Sequence, residues 1–223
     1  MGKSGMNKIK VIFGCLFIAS TFAIFSCTSD VKDIDGNIYK TIKIGSQTWF
    51  LENLNVTRFR NGDSIPEVKS AEEWIKSGNE RKPAWCYIEN NSANGKRVGK
   101  LYNWYAVTDP RLLAPKGSHV ATDVEWSKMI NYLGGGISAA LKIRMTALSE
   151  KSSDQNGFSG PPGGCRNRFG SFYGLDSFAY WWSATGNNSV ASWMYVLNYV
   201  KCDINSFNNY NIYGASVRCL QDQ

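Results

Sequence analysis

At 223 residues the chain has room for one domain with a sizeable core, and its formal charge of +7 rests on 25 Lys and Arg against 18 Asp and Glu. Lys3, Lys8 and Lys10 fall in an N-terminal leader, so the remainder carries 22 basic and 18 acidic residues, a surplus of +4, and no basic run exceeds two residues. That is not a nucleic-acid footprint, and no nucleic-acid partner is expected.

Residues 1–27 read as a leader. Lys8 and Lys10 supply a basic start, and Val11 to Phe25 is an apolar run too short for a spanning helix. The start site is open between Met1 and Met6, since MNKIK is a complete basic region by itself. The run ends Ile24-Phe25-Ser26-Cys27, which resembles the lipobox of bacterial lipoproteins, with Phe25 bulkier than is usual there. Cys27 is therefore the expected lipidation site, and the other reading is ordinary leader cleavage with Cys27 as a spare thiol. Residues 28–32 would form a tether. The expectation is a cell-envelope, outer-membrane lipoprotein held to the membrane by acyl chains.

From Asp33 the pattern is that of a folded domain. Asp35-Gly36-Asn37 reads as a turn. Ile38, Thr41-Ile42 and Ile44 then alternate with polar residues, Gly45-Ser46 turns the chain, and Thr48 to Leu51 returns as the second arm of a hairpin. Asp33, Asp35 and Asn37 lack the downstream bidentate Glu of a calcium loop, so no metal is expected. Residues 55–69 read as a polar excursion. Ser70 to Glu73 has capping-box spacing before a short helix, residues 77–83 a loop, Ala84 to Ile88 a brief strand, and Leu101 to Val107 a buried segment. Thr122 to Glu125 is the clearest helix start, with Trp126, Met129, Ile130 and Leu133 on one face. Gly134-Gly135-Gly136 stops it, and Ile137, Leu141 and Leu148 outline a second helix. Ser149 to Asn156 reads as a solvated loop.

Gly163 to Arg218 holds thirteen of the chain's 30 aromatic residues, which makes it the expected source of the core. Trp181 and Trp182, adjacent in a strand, should face opposite ways and both be buried. Trp193, Tyr195, Leu197 and Tyr199 alternate with Met194, Val196, Asn198 and Val200, so this strand should be covered on both faces. Asp203 to Asn211 reads as an Asn-rich loop and Ala215 to Leu220 as the last strand. The domain is expected to run over residues 33–222.

DIDGNIYKTIKIGSQTWFLENL, GKLYNWYAV, HVATDVEWSKMINYLGG, GFSGPPGGCRNRFGSF, YWWSAT and GASVRC occur in the order that is seen in the Fibrobacter succinogenes major paralogous domain. The resemblance spans about Asp33 to Cys219. It implies an α+β, C-type lectin-like domain, with short mixed and antiparallel strands, two flanking helices, and chain ends that pair as neighbouring strands. Where that family reads C-P-x-G-W-H-V-P, this chain has Ala114 for the cysteine and Ser118 for the tryptophan, so Cys219 has lost the partner that the resemblance implies. Cys165 stands where the family often has tyrosine. Cys86, Cys165, Cys202 and Cys219 remain disulfide candidates with open connectivity.

No catalytic constellation is legible. His119, the one histidine, reads as a capping or packing residue. The Glu-Pro-Asn, Gln-Pro-Asp and Trp-Asn-Asp motifs of calcium-dependent lectins are all missing, so no cofactor or metal is expected. Asn188, Asn205 and Asn209 beside Phe207, Tyr210 and Tyr213 form the candidate ligand site, since rings and amides together hold a sugar or polar peptide. The expected function is non-enzymatic recognition of a glycan or surface protein. The alternative is a structural component of a surface assembly with no soluble ligand.

Overall fold

The structure, a computed structural model, describes residues 30–148, 158 and 160–223. The leader, Cys27 and the expected loop at 149–156 lie outside the described residues. Two short strands, β1 (Val31–Lys32) and β2 (Ile38–Tyr39), pair antiparallel across the Asp35 turn. Asp33 fixes that turn: its carboxylate accepts from the backbone N–H of Asp35 and Asn37, each at 2.9 Å, and from the Tyr39 hydroxyl at 2.7 Å. These oxygens cap a turn rather than offer themselves to a cation. Ile38, expected to alternate into the core, is exposed instead.

The predicted hairpin is β3 (Thr41–Ile44) and β4 (Gln47–Phe50). The 55–69 excursion is less polar than it reads, because Val56, Phe59, Ile65 and Val68 are all buried. Helix α1 (Ala71–Asn79) starts at Ser70, whose hydroxyl accepts from the Glu73 N–H at 3.1 Å. It continues through the predicted loop at 77. Next come β5 (Trp85–Cys86), a single helical turn α2 (Gly95–Val98), β6 (Leu101–Tyr102), a second turn α3 (Trp104–Val107) and β7 (Ser118–Val120). Helix α4 (Asp123–Tyr132) has the full reciprocal capping box of Thr122 and Glu125. Helix α5 (Gly136–Leu148) forms as expected, but with the other face inward. Ala139, Ala140 and Ile143 are buried, whereas Ile137 and Leu141 are 68% and 44% exposed. Small residues let α5 approach its neighbours closely.

The remaining strands are β8 (Gly163–Arg166), β9 (Phe172–Leu175), β10 (Phe178–Gly186), β11 (Ala191–Asn198), β12 (Asp203–Tyr210) and β13 (Cys219–Gln221). They build a five-stranded sheet ordered β12-β11-β10-β8-β9, in which β10 and β8 run parallel and the other neighbours antiparallel. A four-stranded sheet, β3-β4-β13-β7, pairs the two ends of the domain at Leu220 and Trp49. The architecture is α+β. The predicted Asn-rich loop is thus strand β12, paired with β11 over its whole length. The last strand is shorter than expected, since Ala215 and Ser216 make only isolated bridges.

The two strand faces build two cores. Trp182, Met194 and Val196 pack with Phe50, Phe59 and Val107, while Trp181, Tyr195 and Leu197 pack with Trp49, Trp126 and Phe158. Trp126 joins this second cluster by stacking on Tyr195 with ring centres 5.0 Å apart and by lying 4.9 Å from Trp49. Each ring contributes roughly 2–3 kcal/mol through burial, which explains why both faces of β10 and β11 are apolar. A third cluster, around Trp74, Val68, Ala84, Cys86 and Leu101, sits under α1. All four described cysteines are free thiols. Burial pushes Cys86 and Cys165 up to about 12, so neither is a reactive thiolate at neutral pH. Cys219 shares its apolar cluster with Ala114, whose methyl side chain cannot bridge to it.

Candidate recognition site

The strand β12 separates the residues that sequence proximity had grouped. Opposite residues in antiparallel strands share a face, so Asn205, Phe207 and Asn209 line up over Val196, Met194 and Ser192. Tyr210 has the other parity and points away from them. Phe207 is exposed, and the Asn209 amide rests against the Met194 sulfur at 3.5 Å. Tyr213 is half-buried and packs on the Trp182 core cluster. Asn188 is a turn residue, with its side-chain oxygen accepting from the N–H groups of Val190 and Ala191 at 2.9 Å each. The six residues do not form one site.

Tyr210 belongs to a different constellation. The β8–β9 hairpin brings Arg168 and Phe169 to it, and the guanidinium carbon lies 4.7 Å from the centre of the Phe169 ring and 4.5 Å from that of Tyr210. Phe169 is 62% exposed and Tyr210 46%. With Ile75, Asn79 and Ile212 they line a cleft of about 320 Å³. No hydrogen-bond acceptor or carboxylate partners the Arg168 guanidinium among the described residues.

The local sequence makes this hairpin tip rigid. The Asn167 side-chain oxygen accepts from the N–H groups of Phe169 and Ser171, at 2.9 and 3.1 Å, which fixes the turn. Gly170 has φ of +82°, and a Cβ there would lie 2.6 Å from the Ala71 backbone, so only glycine lets the tip dock on the start of α1. On the far wall, Ile212 lies directly on Gly78, where any side chain would collide with it. Sequence reasoning named Tyr210 but missed Arg168 and Phe169. The available signal was the N-x-x-G turn at 167–170, which places its two middle residues at an exposed tip.

A second polar cluster surrounds His119. Its Nε2 meets Glu125 Oε1 and its Nδ1 meets Asp222 Oδ1, both at 2.7 Å. The hydrogen bond to Glu125 pushes the imidazole up to about 9, against the opposing effect of burial and with help from Asp222. Partial burial alone would raise the Glu125 carboxyl, but hydrogen bonds from His119 and from Thr122 hold it near 2. Both ring nitrogens are committed, so the imidazolium has neither a lone pair for a metal nor a free site for proton transfer near pH 7. It clasps the C-terminal strand to α4. The group's raised pKa makes its stabilisation complete below its unfolded value of 6.5 and gone once pH passes about 9. The advantage of the native protein over His119→Gln is therefore expected to be about 1–2 kcal/mol at pH 6, reduced by solvent exposure, and to be lost as pH rises past about 9. Urea unfolding of both proteins across that range checks it.

Among the described residues no helix is long and apolar enough to cross a membrane, and no cluster of His, Cys, Asp and Glu is arranged to hold a metal. No curated protein and no solved structure matches the chain significantly. The family model described as the Fibrobacter succinogenes major domain matches residues 42–221, from the first hairpin to the last strand, and the chain belongs to that family.

Proposed function

We propose that the protein is a lipid-anchored cell-envelope recognition protein, with Cys27 carrying the acyl chains and a C-type lectin-like domain that binds a glycan. The pairing of β4 with β13 at the two ends of the domain, together with the mixed five-stranded sheet and the helices beside it, supports that fold. The glycan reading is carried by the Phe169–Arg168–Tyr210 cleft. An exposed ring on a rigid turn, Phe169, and a second at the end of β12, Tyr210, suit the C–H faces of a sugar ring, and they cost little to order because hairpin and helix are already locked together.

In a binding assay of the full chain in detergent against immobilised polysaccharides, the Phe169→Ala/Tyr210→Ala double variant is expected to lose at least tenfold in affinity with unchanged thermal unfolding. That loss corresponds to about 1.4 kcal/mol or more, a modest share for two stacked rings. Retention of full binding by the folded double variant would move the site elsewhere.

The second reading, a structural component of a surface assembly, is favoured by one feature. β12 is an edge strand, and Ile204–Tyr210 contains no charge and no proline to guard its open side. Strand addition at that edge would survive the double substitution, which separates the two readings.

A further inference from the structure

We propose that the sugar bound in this cleft is acidic, a uronic-acid-type residue whose carboxylate is taken by Arg168. The inference rests on the glycan reading above and narrows it. Among the described residues Arg168 is the only charged one lining the cleft, and none of those lining it is acidic. Three other surface arginines are already committed: Arg58 to Asp35, Arg97 to Asp176, and Arg111 to Asp109 and Asp63. Exposed Arg81, which has no ion pair, lies over no ring among the described residues. Arg168 instead lies over two rings, which satisfy its flat faces and leave the N–H groups at its edge without a protein acceptor among the described residues. A guanidinium held in this way presents a fork of parallel donors, the geometry that matches the two oxygens of a carboxylate.

The rings do two things at once. They restrict the Arg168 side chain, so less rotamer freedom is lost on binding, and they offer apolar surface beside the charge. A uronic acid has the matching pair of features on one ring, a C–H face and an equatorially projecting carboxylate. Asn79 at the cleft wall adds an amide for a sugar hydroxyl. A neutral sugar would leave the guanidinium edge to water, and an aliphatic carboxylate would leave the rings uncovered.

The test uses the full chain in detergent and three acidic polymers, polygalacturonate, alginate and hyaluronan, each beside its carboxyl-reduced neutral counterpart, with polyglutamate as an acidic non-sugar. At least one acidic polymer is expected to bind roughly tenfold or more tighter than its neutral counterpart. Added salt should narrow that gap. Arg168→Gln should abolish it while leaving thermal unfolding unchanged, and Arg168→Lys should restore only part. Equal binding of an acidic polymer and its reduced form, unaffected by Arg168→Gln, would overturn the acidic assignment and leave the glycan reading standing. Failure of every polysaccharide to bind the folded protein would overturn both. Polyglutamate binding that depends on Arg168 and matches the best polysaccharide would overturn the sugar in favour of a simple anion.

Discussion

Replacing Arg218 with methionine is expected to cost ~3–5 kcal/mol of folding stability, since each buried acceptor left without its donor costs about 1–3 kcal/mol. Arg218 is fully buried just before β13. Its Nε and Nη2 donate to the Asn53 side-chain oxygen at 3.1 and 2.7 Å, and its Nη1 donates to the carbonyls of Phe50, at 3.0 Å, and Leu51. The guanidinium carbon lies 4.3 Å from the centre of the Phe158 ring. Burial pushes the group down to about 9, with Glu52 pulling the other way, so it is still charged at pH 7. Methionine fills much of the volume but leaves the oxygens of Phe50, Leu51 and Asn53 without this donor in a site closed to water. The Asn53 oxygen also accepts from Trp181 Nε1 at 2.9 Å, so the loss spreads into the Trp181 core. With a urea dependence of roughly 1–3 kcal/mol per molar, the unfolding midpoint should fall by at least about 1 M. A midpoint unchanged within error would show that the network contributes specificity rather than stability.

What the sequence reveals divides by range of interaction. The α4 start was legible because Thr122 and Glu125 close their capping box within four residues. Trp181 and Trp182 were legible because strand alternation is local, and each is indeed buried in its own cluster. β12 was not legible. Asn and Ser are poor strand formers, and only the ladder to β11, from Ala191–Tyr210 to Asn198–Asp203, holds Asn205 to Asn209 extended. The inward face of α5 was misread because hydrophobic size was weighted over approach distance; Ala139 and Ala140 are buried where Ile137 and Leu141 are not. His119 was legible as a packing residue near α4, but its bond to Asp222 joins positions far apart in the chain. The same limit applied to the site. Tyr210 stood beside Phe207 and Asn209 in sequence, yet strand parity turns it away from both, and its partners come from the β8–β9 turn.

Arg166→Lys is expected to destabilise the fold by ~2–4 kcal/mol and to weaken the proposed glycan binding as well, although residue 166 is buried and does not line the cleft. Arg166 lies between Trp74 and Phe172, 4.6 and 4.8 Å from their ring centres. Its guanidinium donates to the carbonyls of Val68 at 2.6 Å, Lys69 at 2.8 Å, Ser70 at 2.9 Å and Gly170 at 2.9 Å. All four acceptors are backbone, so carbonyl dipoles rather than a carboxylate meet the charge. The positions of those carbonyls matter more than their number. Ser70 caps α1, and Gly170 closes the turn that carries Arg168 and Phe169. One side chain therefore ties the helix wall of the cleft to the hairpin tip that forms its other side. Lysine keeps the charge but has three donors at one point, which cannot reach carbonyls on both sides, and it loses the planar stacking on Trp74 and Phe172. Two readouts separate packing from positioning. Urea unfolding reports the lost bonds, and affinity for the acidic polysaccharide proposed to bind the cleft, measured well below the unfolding midpoint, reports the displaced tip. A protein that is destabilised yet binds as tightly as the native chain would show that Asn167 and Gly170 hold the tip without help from Arg166. Loss of both would mean that the same guanidinium that closes the third core cluster also sets the geometry at the surface.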